Sequence, residues 1–219
     1  MKRFDIITIF PYILDSYLNE SLLKKAQQKG LFSIHMHNLR DFTLDKHRKV
    51  DDTPYGGGPG MVLKVEPIKK AVDHARKAGK SGRKNIRTRV ILFSLRGKKF
   101  NQVVVHQLAK YDQLIFVCGR YEGVDERVAQ YVADEEISVG DFVLSGGELP
   151  AAMVIESVSR LIPGMLGKHA SLEEMKGTYP VYTKPESLKI SGKKRSVPKS
   201  LLSGNHAEID RWRDAQGEK

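Results

Sequence analysis

Three stretches of the chain set glycine among polar side chains directly after an apolar run. They are Ser94-Leu95-Arg96-Gly97, Cys118-Gly119-Arg120-Tyr121-Glu122-Gly123-Val124-Asp125, and Ser138-Val139-Gly140-Asp141-Phe142-Val143-Leu144-Ser145-Gly146-Gly147-Glu148. Glycine lets a backbone approach a ligand closely or turn with positive φ. In parallel sheets, ligands sit beyond the carboxyl ends of the strands. Three such loops brought together line a pocket with backbone N–H and C=O groups. No G-x-G-x-x-G and no G-x-x-x-x-G-K-[ST] occurs, and the Gly56–Gly60 cluster lacks a phosphate-loop lysine. A dinucleotide fingerprint and a Walker A site are therefore unsupported.

Other chemistry-bearing residues are fewer. Cys118 is the only cysteine, so an intrachain disulfide and a Cys₂ or Cys₄ zinc site are excluded. On an apolar run it reads as an inert core residue. His35 and His37 stand two apart on one strand face with no identifiable third ligand, so no metal site is expected. Asp51 and Asp52 read either as paired acids or as turn residues that hydrogen-bond locally.

The elements that must position these loops alternate. Phe4–Ile9, Phe32–His37, Val90–Phe93, Leu114–Cys118 and Glu136–Val139 read as strands, and two of them are unbroken apolar runs suited to burial on both faces. Tyr12–Gln28, Val65–Ala78, Gln102–Lys110, Val124–Ala133 and Leu149–Leu161 read as helices, the last stopped by Pro163-Gly164. Asp51–Gly60 reads as a long loop and Gly79–Arg87 as a polar connection. The alternation predicts an α/β domain with a mainly parallel sheet over 1–163. A polar, proline-punctuated stretch follows, and a final helix is predicted near Asn205–Ala215.

The chain has 219 residues and a formal charge of +11, from 37 Lys and Arg against 26 Asp and Glu. No apolar run is long enough to span a membrane. Met1–Phe10 carries no signal-peptide core, so a cytoplasmic location is expected. The positive balance favours a polyanionic partner. It concentrates in Arg76, Lys77, Lys80, Arg83, Lys84, Arg87, Arg89, Arg96, Lys98 and Lys99, with no acid between them, and again in Lys189, Lys193, Lys194, Arg195 and Lys199. Each cluster reads as a phosphate-contacting surface or as a solvated one.

Longer motifs resemble the TrmD family, the bacterial tRNA (guanine-N1)-methyltransferases that modify the guanine 3′ of the anticodon. Val50-Asp51-Asp52-Thr53-Pro54-Tyr55-Gly56-Gly57-Gly58-Pro59-Gly60-Met61, Gly119 to Arg127, and Ser138 to Pro150 carry the resemblance. Arg160-Leu161-Ile162-Pro163-Gly164, Tyr179 to Pro185, and Leu202-Ser203-Gly204-Asn205-His206 to Trp212-Arg213 continue it in order. It implies a SPOUT-type fold with a deep C-terminal trefoil knot and a small helical C-terminal domain that binds tRNA. The division is 1–163, linker 164–180, and 181–219. It further implies a homodimer with active sites at the subunit interface.

The resemblance assigns S-adenosylmethionine to Leu92, Phe93, Ser94 and Leu95, to Gly119, Tyr121 and Glu122, and to Ser138, Val139, Gly140, Asp141, Phe142, Val143, Leu144, Gly146 and Gly147. Asp51, Asp52, Tyr55, Tyr121 and Arg160 are expected at the target guanine, with Arg160 serving its O6. Magnesium dependence belongs to the family, and no motif identifies its ligands. The linker departs from the family pattern G-K-x-A-S-x-E-E-D-S-F. Here Met175 stands at the position of the proposed aspartate base, and Thr178-Tyr179-Pro180 arrives early. Three readings stand: Glu173 or Glu174 replaces that base, solvent accepts the proton, or the chain binds cofactor and tRNA but transfers weakly. A SPOUT methyltransferase acting on another RNA is the remaining alternative.

Overall fold

The computed structural model describes residues 1–82, 85–166 and 179–217. In chain order the elements are β1 (Lys2–Thr8), α1 (Asp15–Leu18), α2 (Ser21–Gln28), β2 (Phe32–Asn38), a 3₁₀ turn (Leu39–Phe42), β3 (Asp51–Asp52), β4 (Val62–Leu63) and α3 (Val65–Lys80). There follow β5 (Thr88–Lys99), α4 (Gln102–Ala109), β6 (Gln113–Val117), α5 (Glu126–Tyr131), β7 (Glu135–Ser138) and α6 (Glu148–Ser159). β8 (Ser187–Ile190), β9 (Lys193–Ser196), α7 (Lys199–Leu202) and α8 (His206–Gly217) close the chain. Two compact units divide it, Met1–Met165 and Leu166–Lys219.

The first unit is built on a five-stranded sheet ordered β2-β1-β6-β5-β7, every pair parallel. Side chains alternate across it, so each face needs its own cover. Phe4, Ile6, Ile91, Leu114 and Phe116 pack on α1, α2, α4 and α6. Ile7, Val90, Leu92, Ile115 and Val117 pack on α3, α5 and the 3₁₀ turn. The loops leaving β6, β5 and β7 are neighbours because those strands are neighbours, and this ordering gathers the three glycine-bearing stretches.

A buried polar cluster borders the second core. Asp5 is fully buried, yet it accepts from Arg3 Nη2, His37 Nε2 and Gln113 Nε2, each at 2.7 Å. Burial is the largest influence on its carboxyl and pushes the pKa up. The hydrogen bonds from His37, Arg3 and Gln113, with the Arg3 charge, outweigh it and hold the group below the ordinary aspartate value. A carboxyl depressed in the folded state stabilises the fold fully above its unfolded-state pKa of about 3.9, and that contribution is lost as the pH falls through the lower folded value. Asp5→Asn is therefore expected to lower the urea midpoint at pH 7 and to flatten the acid limb of the midpoint-against-pH curve. An unchanged acid limb would count against it.

Several expectations from sequence shift. The helix predicted over Tyr12–Gln28 is two helices. Asn19 Nδ2 competes for the Asp15 carbonyl at 3.0 Å, and Gln27 Nε2 caps the Leu18 carbonyl at 2.9 Å. The strand at Val90–Phe93 runs on to Lys99 through a bulge between Phe93 and Lys98. The helix expected from Val124 starts at Glu126, because Asp125 accepts from the Arg127 N–H at 3.0 Å as its cap. Asp51 and Asp52, read as loop, pair with Leu63 and Val62. The second unit, expected to be helical, also carries the β8–β9 hairpin.

Candidate functional site

A cavity of about 480 Å³ opens where the bulge of β5, the loop after β6 and the loop between β7 and α6 meet. Every residue assigned to S-adenosylmethionine by resemblance lines it except Asp141. That carboxylate is exposed and pairs instead with Lys99. Two glycines are fixed by close backbone approach. An ideal Cβ on Gly97 would stand 2.6 Å from the backbone of Glu136 and Ile137, and one on Gly147 would stand 2.7 Å from Cys118 Cα. Tyr121 holds φ at 61°, a left-handed conformation that non-glycine residues adopt at a cost and that clusters at functional sites. Its ring is half exposed at the cavity.

Behind the cavity lies a buried ion pair. Glu148, the first residue of α6, is 1% exposed. Its carboxylate accepts from Arg120 Nε at 3.0 Å and Nη2 at 2.9 Å, and from Thr8 Oγ1 at 2.6 Å. Thr8 Oγ1 in turn accepts from the Phe10 N–H at 2.9 Å, and the Arg120 guanidinium sits 4.8 Å from the Phe10 ring centre. One carboxylate thus ties the end of β1, the loop after β6 and the start of α6. Cys118 is packed against this pair. Burial, then the Glu148 charge, pushes its thiol well up, which leaves it protonated and unreactive.

The stretch around the Gly56–Gly60 cluster is stitched alongside. Glu122 N–H donates to the Met61 carbonyl at 3.1 Å, Leu63 N–H to Gly123 at 3.0 Å, and Asp125 N–H to Leu63 at 2.9 Å. Asp52 pairs with Lys64 Nζ at 3.1 Å, which holds its carboxyl below the ordinary value. Asp51, Asp52 and Tyr55 therefore enter and line a loop anchored beside Glu122, but they do not line the cavity, and Tyr55 is fully exposed.

Of the residues expected at the target base, only Tyr121 lines the cavity. Arg160 caps the far end of α6. The helix rise of about 1.5 Å per residue sets it roughly 15 Å from Pro150, which is on the wall. Glu173 and Glu174, the candidate bases, and Met175 lie outside the described residues, as do Arg83 and Lys84 of the first basic run.

Arg96 and Arg120, on two of the loops read as pocket lining but given no role of their own, also line the cavity, and so do Glu126, Glu136 and Pro150, which sequence reasoning did not assign to it. The ion-pair partners of the four charged residues are far apart in the chain, so no local spacing marks them. In the second unit, Lys189, Lys193, Lys194 and Arg195 are exposed on the hairpin. Arg213 lies 5.2 Å over the Tyr179 ring, and Tyr182 meets Trp212 edge to face at 6.2 Å. Among the described residues no helix is long and apolar enough to cross a membrane.

Comparison with known proteins adds to this geometry. The family model described as tRNA (Guanine-1)-methyltransferase TrmD matches residues 1–219. A tRNA (guanine-N(1)-)-methyltransferase of Geotalea uraniireducens is 48% identical over 98% of this chain and 85% of its own. One from Dictyoglomus turgidum is 51% identical over 97% and 84%. The crystal structure of the tRNA (m1G37) methyltransferase from Aquifex aeolicus is similar with a TM-score of 0.78 at 43% identity, over 96% of this chain and 87% of that one.

Proposed function

The chain belongs to the TrmD family of tRNA (guanine-1)-methyltransferases, and from that premise we propose how its parts divide the reaction. It is a tRNA guanine-N1 methyltransferase that uses S-adenosylmethionine. The observation that carries the placement of the site is that three strand-end loops share one cavity.

The residues present fit that cosubstrate. The Ser94 hydroxyl is buried on the cavity wall with no hydrogen-bond partner among the described residues, a position suited to a polar ligand atom. Leu92, Phe93, Ile137, Leu144 and Pro150 supply apolar wall for a purine. When bound, the sulfonium supplies an electrophilic methyl group. The protein's own tasks are then positional and electrostatic. Tyr121 offers a ring on which the target base stacks. Guanine N1 must lose its proton as the methyl arrives, and negative charge develops on O6. Arg160 is assigned to that oxygen. Glu173 or Glu174 is assigned to the proton. Among the described residues no group of three His, Cys, Asp or Glu side chains is placed to hold magnesium, and no step is assigned to it.

The first unit is read as the cosubstrate domain, trefoil-knotted as in the family, and the second as the tRNA-binding domain. Its hairpin lysines and Arg195 suit phosphate neutralisation. A homodimer is part of the reading. Phe10, Tyr12, Ile13, Tyr17, Leu149 and Met153 are exposed, and the Tyr17 hydroxyl reaches Glu156 at 3.5 Å, linking α1 to α6. Exposed apolar surface of this kind marks association faces. The cytoplasm, where tRNA is found, is the proposed location.

The test is methyl transfer from labelled S-adenosylmethionine to an unmodified tRNA with guanine 3′ of the anticodon, against the same tRNA with adenine there. Transfer is expected to guanine only. Glu173→Gln and Glu174→Gln are then expected to divide, one losing rate and the other not. Equal transfer to adenine would refute the specificity. No transfer with cosubstrate and tRNA still bound would make the chain a binder.

A further inference from the structure

The bulge in β5 lifts Ser94–Gly97 out of register and lays Gly97 directly on the Glu136–Ile137 backbone. Arg96 is thereby held between two other walls of the cavity. Its Nη2 meets Glu126 Oε2 at 2.5 Å, on the first turn of α5, directly after the β6 loop. Its Nε meets Glu136 Oε1 at 3.3 Å, on β7 just before the third loop. All three residues line the cavity. The planar guanidinium holds its donors in a fixed fork that suits two carboxylates on different sides, whereas an ammonium is a point charge on a flexible stem that fixes neither direction. By contrast, Arg120 on the same wall is already committed to Glu148.

We propose that Arg96 is a positioning residue that clasps the three walls of the cosubstrate cavity together through Glu126 and Glu136. The inference rests on the reading of this cavity as the cosubstrate site. Arg96 and Glu126 are more than half exposed, so the clasp adds little to folding and is sensitive to salt. Its work is to hold loops that otherwise separate, and that work is read in ligand affinity.

The rival explanation is that Arg96 binds the ligand's own carboxylate. The two separate by choice of ligand and variant. Titration calorimetry with S-adenosylhomocysteine and with 5′-methylthioadenosine, which has no carboxylate, is measured on wild type, Arg96→Gln, Arg96→Lys and Glu136→Gln. The clasp predicts that Arg96→Gln weakens both ligands by the same factor, about three- to tenfold for two exposed pairs. Arg96→Lys falls between, Glu136→Gln weakens both ligands as well, and the salt dependence of affinity flattens in Arg96→Gln. The melting midpoint stays at the wild-type value in each variant. Loss confined to S-adenosylhomocysteine, or tighter binding in Glu136→Gln, makes Arg96 a ligand contact and overturns the clasp. Wild-type affinity in all variants overturns it too. Wild type that binds neither ligand overturns the reading of the cavity itself, and the clasp with it.

Discussion

Arg120→Ala is expected to lower the unfolding free energy by about 3–5 kcal/mol, the usual cost of breaking one side of a buried pair, and to abolish binding of S-adenosylhomocysteine. The Glu148 side chain is 2% exposed and that of Arg120 16%. Among the described residues, removing the guanidinium leaves a buried carboxylate with only the Thr8 hydroxyl as donor. Water cannot solvate it without opening the junction of β1, the β6 loop and α6. Because Arg120 belongs to that loop, the same opening dismantles a cavity wall. Urea denaturation measures the first effect and titration calorimetry the second. The double variant Arg120→Met with Glu148→Leu separates charge from packing. Replacing both partners by apolar groups removes the uncompensated charge, so most of the stability returns. If the double variant is as unstable as Arg120→Ala, packing against Phe10 and not the buried charge is what the arginine supplies.

This pair also marks the boundary of what the chain discloses before it folds. Glycines after apolar runs signalled the three loops because strand ends and close backbone approach are local properties, and Gly97 and Gly147 meet backbone where no side chain fits. Arg120 and Glu148 are 28 residues apart, Arg96 and Glu136 40, and Asp5 and Gln113 108. Such pairs are set by strand order and register, which periodicity does not encode. Register places Arg3 opposite both Ser33 and Gln113 and so builds the Asp5 cluster. The β8–β9 hairpin was hidden for another reason. Lys189, Lys193, Lys194 and Arg195 are poor strand formers, and their pairing was masked by a composition that reads as linker. The break between α1 and α2 turned on two side-chain amides, Asn19 and Gln27, which hydrophobic spacing does not register.

Arg160→Ala is expected to lower kcat by about 10²–10³, the usual loss when a donor to a developing oxyanion is removed, while leaving the affinity for S-adenosylhomocysteine at the wild-type value. The split follows from position. Arg160 ends a helix whose Ala151, Val154, Ile155 and Val158 are fully buried, so it is rigidly placed, yet it does not line the cavity. Among the described residues no ion pair engages its guanidinium, the group assigned to O6 in the proposed mechanism. Arg160→Lys keeps the charge but loses the fork and is expected to recover only part of the rate. In the proposed homodimer, the roughly 15 Å helix rise between Pro150 and Arg160 favours action on a guanine held at the partner's cavity. Mixing Arg160→Ala with Gly140→Val, whose added side chain collides with the Phe142 ring, tests this directly. Each parent is expected to be far slower than wild type. A heterodimer that pairs the intact cavity of one chain with the intact arginine of the other regains activity. If the mixture is no faster than its parents while heterodimers form, Arg160 serves the cavity of its own chain, and α6 must bend or shift on binding tRNA to bring it there.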